Sequence, residues 1–209
     1  MTAGPEQVRI VVADDHQVVR AGFAELLGTR PDFTVVGTAD DGAEAVRLCQ
    51  ELRPDVVLMD VRMPGMDGIQ LLRHLRKKGV TLPVIIMTGH ADVALAVGAM
   101  KAGAVDFIEK PFSDDVLLAA IAAALKQQGN SGQSVSEAVM QVRSRLGTLS
   151  EREKQVLEGL LAGLPNKTIA YDLGISPRTV EVHRASVMKK LNATSLSQLV
   201  RMALLAGNS

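Results

Sequence analysis

Five residues within the first 110 positions have the types needed to handle a phosphoryl group. Asp14 and Asp15 follow the apolar run Val8–Ala13, Asp60 follows Val56–Met59, Thr88 follows Val84–Met87, and Lys110 follows Ala104–Ile108. Carboxylates brought together repel unless a cation joins them. A hard, oxygen-seeking Mg²⁺ suits such a group and also binds phosphate. A hydroxyl and an ammonium beside them would meet the phosphoryl oxygens. The set then reads as a site where an aspartyl nucleophile attacks phosphorus while metal and lysine neutralise the transferred group. Taken singly, each residue has a plainer role: an Asp after a strand caps or turns, and a Lys before Pro faces solvent. The combination, one at the end of each of several strands, carries the chemistry.

That combination needs a scaffold. Over residues 1–127, β-branched runs at Val8–Ala13, Phe33–Gly37, Val56–Met59, Val84–Met87 and Ala104–Ile108 alternate with helical spacing such as Val19, Phe23, Leu26 and Leu27. Strand followed by helix, five times over, predicts a parallel sheet with helices on both faces. Continuous apolar strands fit a sheet covered on both sides. In the flavodoxin-like order 2-1-3-4-5, strands one and three are neighbours, and ligands bind outside the carboxyl ends of the strands where the order reverses. Asp14, Asp15 and Asp60 fall there.

The polar, Gly/Ser-containing stretch Gln127–Ser136 reads as a linker. Val135, Val139, Val142 and Leu146 then predict a short amphipathic helix, and the whole linker region is drawn over 128–147. From 148 to 209 the signals are all helical. Ser150 and Glu153 form a capping box, Asn166 is placed as the cap of a helix stopped by Gly174, and Ser176 caps a further helix with Pro177 at its first position. That helix runs to about Leu191, and a last one covers Leu196 to Leu205.

Composition is that of a globular protein. Nearly half the residues are apolar, with four Phe, one Tyr and no Trp. No apolar run reaches the roughly 18 residues of a membrane span, and the N-terminus lacks the pattern of a signal peptide. Cys49 is the single cysteine, which excludes an internal disulfide and points to the reducing cytoplasm. The net charge of zero hides an asymmetry. Residues 148–209 hold eight Lys/Arg against five Asp/Glu, and the preceding residues fifteen against eighteen. A mildly basic end after an acidic front is compatible with nucleic-acid binding.

The segments ADDH, DVRMPGMDG, MTGH and VDFIEKPF resemble the receiver domain of two-component response regulators, over about Val8 to Gln127. The resemblance implies that Asp60 accepts phosphoryl from a sensor histidine kinase. It further implies that Asp14, Asp15, Asp60 and the backbone carbonyl of Arg62 hold Mg²⁺, with Asp14 acting directly or through water, and that Thr88 and Lys110 bind phosphate. Phe107 matches the switch aromatic, the Lys110–Pro111 bond is expected to be cis, and Pro64 and Gly68 shape the loop after the nucleophile. Phosphorylation would remodel a dimerisation face drawn from Val93–Lys101, Asp106 and Glu109. Arg62 and His90 flank the pocket. Catalysis is expected to extend only to the domain's own phosphorylation and dephosphorylation. A phosphatase with an aspartyl nucleophile is the rival reading, but such enzymes carry a second Asp where Arg62 stands.

The C-terminal segment from Leu149 to Val200 resembles the LuxR/NarL-type helix-turn-helix. Two helices joined by a tight Gly-containing turn are what that motif needs, with the N-terminal part of the second in the major groove. Lys167, Arg178, Lys189 and Lys190 are assigned to DNA phosphates, and Thr179, Glu181, Val182 and Arg184 to bases. Glu181 and Ala185 replace basic residues of NarL-like members. Glu181 either accepts from cytosine or, as the favoured reading, pairs with Arg178 or Arg184, while His183 packs inward. The expected partners are a histidine kinase docking on His16–Leu27, double-stranded promoter DNA, a second copy on phosphorylation, and RNA polymerase. The later segments are most similar to the FixJ subgroup and the earlier ones to NarL-type receivers. That contrast suggests a mosaic or engineered chimera joined between Gly68 and Pro83.

Overall fold

The structure, a computed structural model, describes residues 7–89, 92–129 and 134–207, without the side chains of 127–129 and 134–138. By its contacts the chain divides into two units, one of residues 1–90 and 102–129, the other of 91–101 and 130–209.

The first unit is built on strands β1 (Val8–Ala13), β2 (Phe33–Ala39), β3 (Val56–Asp60), β4 (Val84–Thr88) and β5 (Asp106–Glu109). They form one sheet in the order β2-β1-β3-β4-β5, parallel at every pairing. Helices α1 (Gln17–Gly28), α2 (Gly42–Leu52), α3 (Gly68–Lys77) and α5 (Asp114–Gly129) alternate with them. Helix α4 (Val93–Lys101) lies between β4 and β5 in the chain and groups with the second unit. Strands β3 and β4 are buried at every position, as apolar strands covered on both faces must be. Ile10, Val12, Leu58, Ile85, Met87, Leu117 and Ile121 form the centre of one core. With few aromatics available, Phe23 stacks on Phe112 with ring centroids 5.9 Å apart, closing that core beside α1.

The pairing carries the site residues to one edge. Ala13 lies opposite Met59 and Asp60 opposite Met87, so the residues following β1 and those ending β3 and β4 emerge together. Gly68 starts α3 hard against β3. A Cβ there would run into the backbone carbonyl of Asp60 and lie 3.2 Å from Met59 Cγ. Only a residue without a side chain lets the helix begin so close to the Asp60 backbone.

The remaining helices are α6 (Ser134–Gly147), α7 (Glu151–Leu161), α8 (Asn166–Leu173), α9 (Pro177–Leu191) and α10 (Leu196–Gly207). They enclose a core centred on Val156, Leu160, Ile169, Val180, Val187, Leu191 and Leu199. The capping box at Ser150 and Glu153 forms, Gly174 adopts the left-handed conformation after α8, and Ser176 caps α9 with Pro177 at its start. Two expectations change. Helix occupies much of the stretch read as linker, because α5 continues to Gly129 and α6 begins at Ser134; residues 130–133 lie outside the described part. Asn166 does not cap α8. Pro165 holds the cap position, and the Asn166 Oδ1 is buried without a hydrogen-bond partner among the described residues.

Candidate functional site

At the carboxyl edge of the sheet, Lys110 reaches across from β5. Its Nζ lies 2.6 Å from Asp14 Oδ2 and 2.6 Å from Asp60 Oδ1. Asp14 is fully buried and Asp60 only 7 % exposed, a placement that isolated carboxylates could not sustain without a counter-charge. Burial works against the Lys110 charge, but the hydrogen bonds and charges of Asp14 and Asp60 outweigh it and hold its pKa above the ordinary lysine value. The second oxygen of Asp60 accepts the Arg62 backbone N–H at 2.6 Å. The Asp60 carboxylate is thereby fixed at both ends, by an ammonium and by an amide of the loop that follows it.

Asp14 is held as firmly. Its Oδ1 accepts the His16 backbone N–H at 2.9 Å, and its carbonyl accepts Arg20 Nη1 at 2.5 Å. The exposed Asp15 meets His16 Nδ1 at 2.6 Å. Asp14, Asp15 and His16 offer ligand atoms within 4.8 Å of one another, near enough to share an ion. The donors of Asp14, Asp15 and Asp60 are carboxylate oxygens, the ligand type that Mg²⁺ prefers, so this pocket fits such a cation chemically. Thr88 ends β4, buried, and its carbonyl accepts the Lys110 N–H at 2.7 Å. Phe107 is half-buried on β5, opposite Ile86, and the Lys110–Pro111 bond is cis, as expected. His90 lies outside the described residues. In α4, Ala96, Val97, Ala99 and Met100 are buried.

In the second unit, α8 and α9 are joined through Gly174, and α9 presents Arg178, Glu181, Val182, Ala185 and Lys189 to solvent. Arg178 Nη1 donates to Glu181 Oε2 at 3.2 Å, the pairing favoured from sequence. Lys167 is exposed on α8, and Arg184 and His183 are half-buried. The Thr179 N–H donates to Ser176 Oγ at 3.1 Å, and the two hydroxyls lie 2.8 Å apart, so Thr179 completes the α9 cap. Lys190, assigned to a phosphate, is exposed but paired within the domain. Its Nζ lies 2.7 Å from Glu153 Oε2 and 3.2 Å from the Thr148 carbonyl.

Residues 10–122 match the family model described as the response regulator receiver domain, and residues 147–203 match bacterial regulatory proteins of the luxR family. The chain belongs to the response-regulator family. This response regulator is 49 % identical over 208 residues to the transcriptional regulatory protein FixJ of Azorhizobium caulinodans, covering 97 % of this chain and 95 % of that one. The crystal structure of full-length FixJ from B. japonicum is 45 % identical, covers 98 % of this chain and 99 % of that chain, and superposes with a TM-score of 0.55. The receiver of a putative response regulator NarL from Mycobacterium tuberculosis is 39 % identical, covering 56 % of this chain and 98 % of that one at a TM-score of 0.52. The NarL likeness of the front part therefore stands. The mosaic does not. A natural FixJ relative aligns across nearly the whole length, through the stretch 68–83 where a join was placed.

Within this response regulator, His16 and Glu153 shape the two sites beyond what sequence reasoning assigned them, and Arg76 braces the opposite, amino edge of the sheet. His16 was noted only as the start of a kinase-docking helix, yet it holds both Asp14 and Asp15. Glu153 was seen only as part of a capping box; it is 5 % exposed and also accepts Ser186 Oγ at 2.6 Å and Lys190 Nζ from α9. Arg76 at the end of α3 donates to the carbonyls of Val80, Leu82 and Gly103, and its burial lowers its pKa. The local sequence signals a cap at Glu153 and a helix C-terminus at Arg76. It carries no sign of their distant partners. Among the described residues, no helix is long and apolar enough to cross a membrane.

Proposed function

We propose that Asp60 accepts a phosphoryl group from a sensor histidine kinase and that this modification raises the affinity of the C-terminal domain for promoter DNA. The observation that carries the proposal is the Lys110 ammonium, seated 2.6 Å from both Asp14 and Asp60. An Asp60 oxygen attacks phosphorus, the bond from phosphorus to the donor breaks, and an acyl phosphate results. Lys110 is placed to neutralise the added oxygens, and the Thr88 hydroxyl, at the end of the neighbouring strand, is the further donor. Mg²⁺, held by Asp14, Asp15, Asp60 and the Arg62 carbonyl, supplies charge neutralisation to the phosphoryl group when bound. Arg62 stands where such phosphatases carry a second carboxylate, which favours a signalling role over a phosphatase.

Phosphorylation draws Thr88 inward, Phe107 turns into the space released, and the face formed by Val93–Lys101, Asp106 and Glu109 becomes competent to pair with a second copy. On DNA, Lys167, Arg178 and Lys189 meet phosphates, Thr179, Val182 and Arg184 face bases, and Glu181 orients Arg178. The FixJ-like regulators act as transcription factors, and the lone buried Cys49 suits a reducing cytoplasm.

Incubation of the protein with acetyl phosphate and Mg²⁺ is expected to add one phosphoryl group, visible by intact mass, and to shift the protein toward dimer in light scattering. Asp60→Asn abolishes both. Undiminished labelling of Asp60→Asn would remove Asp60 from the role. A monomeric mass for the labelled protein at tens of micromolar would remove the dimer step alone.

A further inference from the structure

The turn 14–16 joins β1 to α1 and brings two of the pocket's carboxylates with it. Helix α1 gives that turn little support of its own, since His16 makes no side-chain cap and the first turn holds no acidic residue. That first turn holds Arg20. A cation at a helix N-terminus opposes the helix dipole, so Arg20 works against the helix that bears it. Its guanidinium turns back to the end of β1, where Nη1 donates to the Asp14 carbonyl at 2.5 Å. From the other side, the Asp14 N–H donates to the Ala39 carbonyl at 3.1 Å. The Asp14 and Asp15 carboxylates pair with Lys110 and His16, and among the described residues Arg20 pairs with neither.

A guanidinium on a carboxylate would occupy an oxygen that a metal ion needs. On the backbone carbonyl it fixes the same residue and leaves the carboxylates to Lys110 and to the metal. We propose that Arg20 is a positioning residue of the phosphoryl-transfer site, holding the β1–α1 turn in the shape in which Asp14 and Asp15 together accept Mg²⁺. This inference rests on the reading of the pocket given above. Groups that orient metal ligands without touching the metal change its affinity about 10–100-fold when removed. The charge of Arg20 acts in the opposite sense, because a cation beside the pocket repels Mg²⁺. The direction of the change therefore separates the two roles.

The test follows the amide NMR shifts of the isotope-labelled full-length chain as Mg²⁺ alone is added, for wild type and Arg20→Gln. The variant is expected to bind Mg²⁺ about tenfold more weakly, while its melting without Mg²⁺ changes no more than for an ordinary surface substitution. In labelling by acetyl phosphate, the half-saturating Mg²⁺ concentration rises by the same factor and the rate at saturating Mg²⁺ is unchanged. Arg20→Lys, which restores a cation and one donor, recovers part of the loss. Unchanged or tighter Mg²⁺ binding in Arg20→Gln overturns the proposal, as does a marked fall in its melting temperature. So does a lower saturated rate at unchanged Mg²⁺ dependence, or a lysine variant no better than glutamine. A wild type that binds Mg²⁺ but takes no label at Asp60 condemns the phosphorylation reading alone, and the NMR titration still decides the role of Arg20.

Discussion

The Glu153→Gln substitution isolates the contact that ties α9, the helix carrying most of the proposed DNA contacts, to the start of α7. The carboxylate accepts from Lys190 Nζ at 2.7 Å, from Ser186 Oγ at 2.6 Å and from the Ser150 N–H at 2.6 Å. Together these hold its pKa at about 2, against an ordinary 4.5. Glutamine keeps the size but loses the charge, and its one carbonyl oxygen cannot serve three donors. Losing charge-assisted hydrogen bonds of this kind costs about 2–3 kcal/mol, tempered because the Lys190 side chain is 37 % exposed and water can take over part of its solvation. In a helical unit of this size that is a fall in Tm of roughly 10–20 °C. The pH dependence has a definite sign. A folded-state pKa below the unfolded one stabilises the fold above the unfolded value and loses that contribution as pH falls through the folded value. The gap between wild type and Glu153→Gln is therefore complete above about pH 4.5 and closes toward pH 2. Urea melts followed by circular dichroism at several pH values, read on the C-terminal transition, measure it. A gap below about 0.5 kcal/mol at neutral pH, the size of an ordinary surface change, refutes the reasoning. A gap that stays constant down to pH 2 refutes the electrostatic account and leaves a packing effect.

Gly68→Ala forces a methyl group against the Asp60 backbone. It is expected to destabilise the receiver by about 1–3 kcal/mol and to slow phosphoryl transfer to Asp60, both checked by melts and by mass-detected labelling; wild-type behaviour in both would show that α3 shifts freely. Cys49, 2 % exposed with a thiol pKa pushed up to about 11 by burial, should resist thiol reagents at pH 8 in the native protein and react quickly in urea. Equal rates in the two conditions would contradict its placement. DNA binding by residues 148–209 should weaken steeply as salt rises, as phosphate contacts require, and Lys190→Met should lower that salt slope less than Lys189→Met, because Lys190 is held by Glu153. Equal effects would return Lys190 to the DNA surface.

Much of this molecule was readable from residue order alone, for a physical reason. The features that were readable are local ones. Apolar strands alternating with helical spacing, Ser150 three residues before Glu153, Gly174 after Leu173 and Pro177 after Ser176 each act within a few residues of themselves. Strand order came with the flavodoxin-like pattern of alternating strand and helix, which sets the ends of strands one and three, and so Asp14, Asp15 and Asp60, side by side. Asn166 shows where local reasoning gives out, because Pro165 already supplies the extended backbone that a cap requires. What tertiary structure alone decided is which charge meets which. Lys110 lies 96 positions from Asp14 and 50 from Asp60, and Lys190 lies 37 from Glu153. A lysine bound for phosphate and one bound for a buried carboxylate look alike in sequence. Burial of the acceptor separates them, since a carboxylate withdrawn from water must take the nearest cation that packing brings to it.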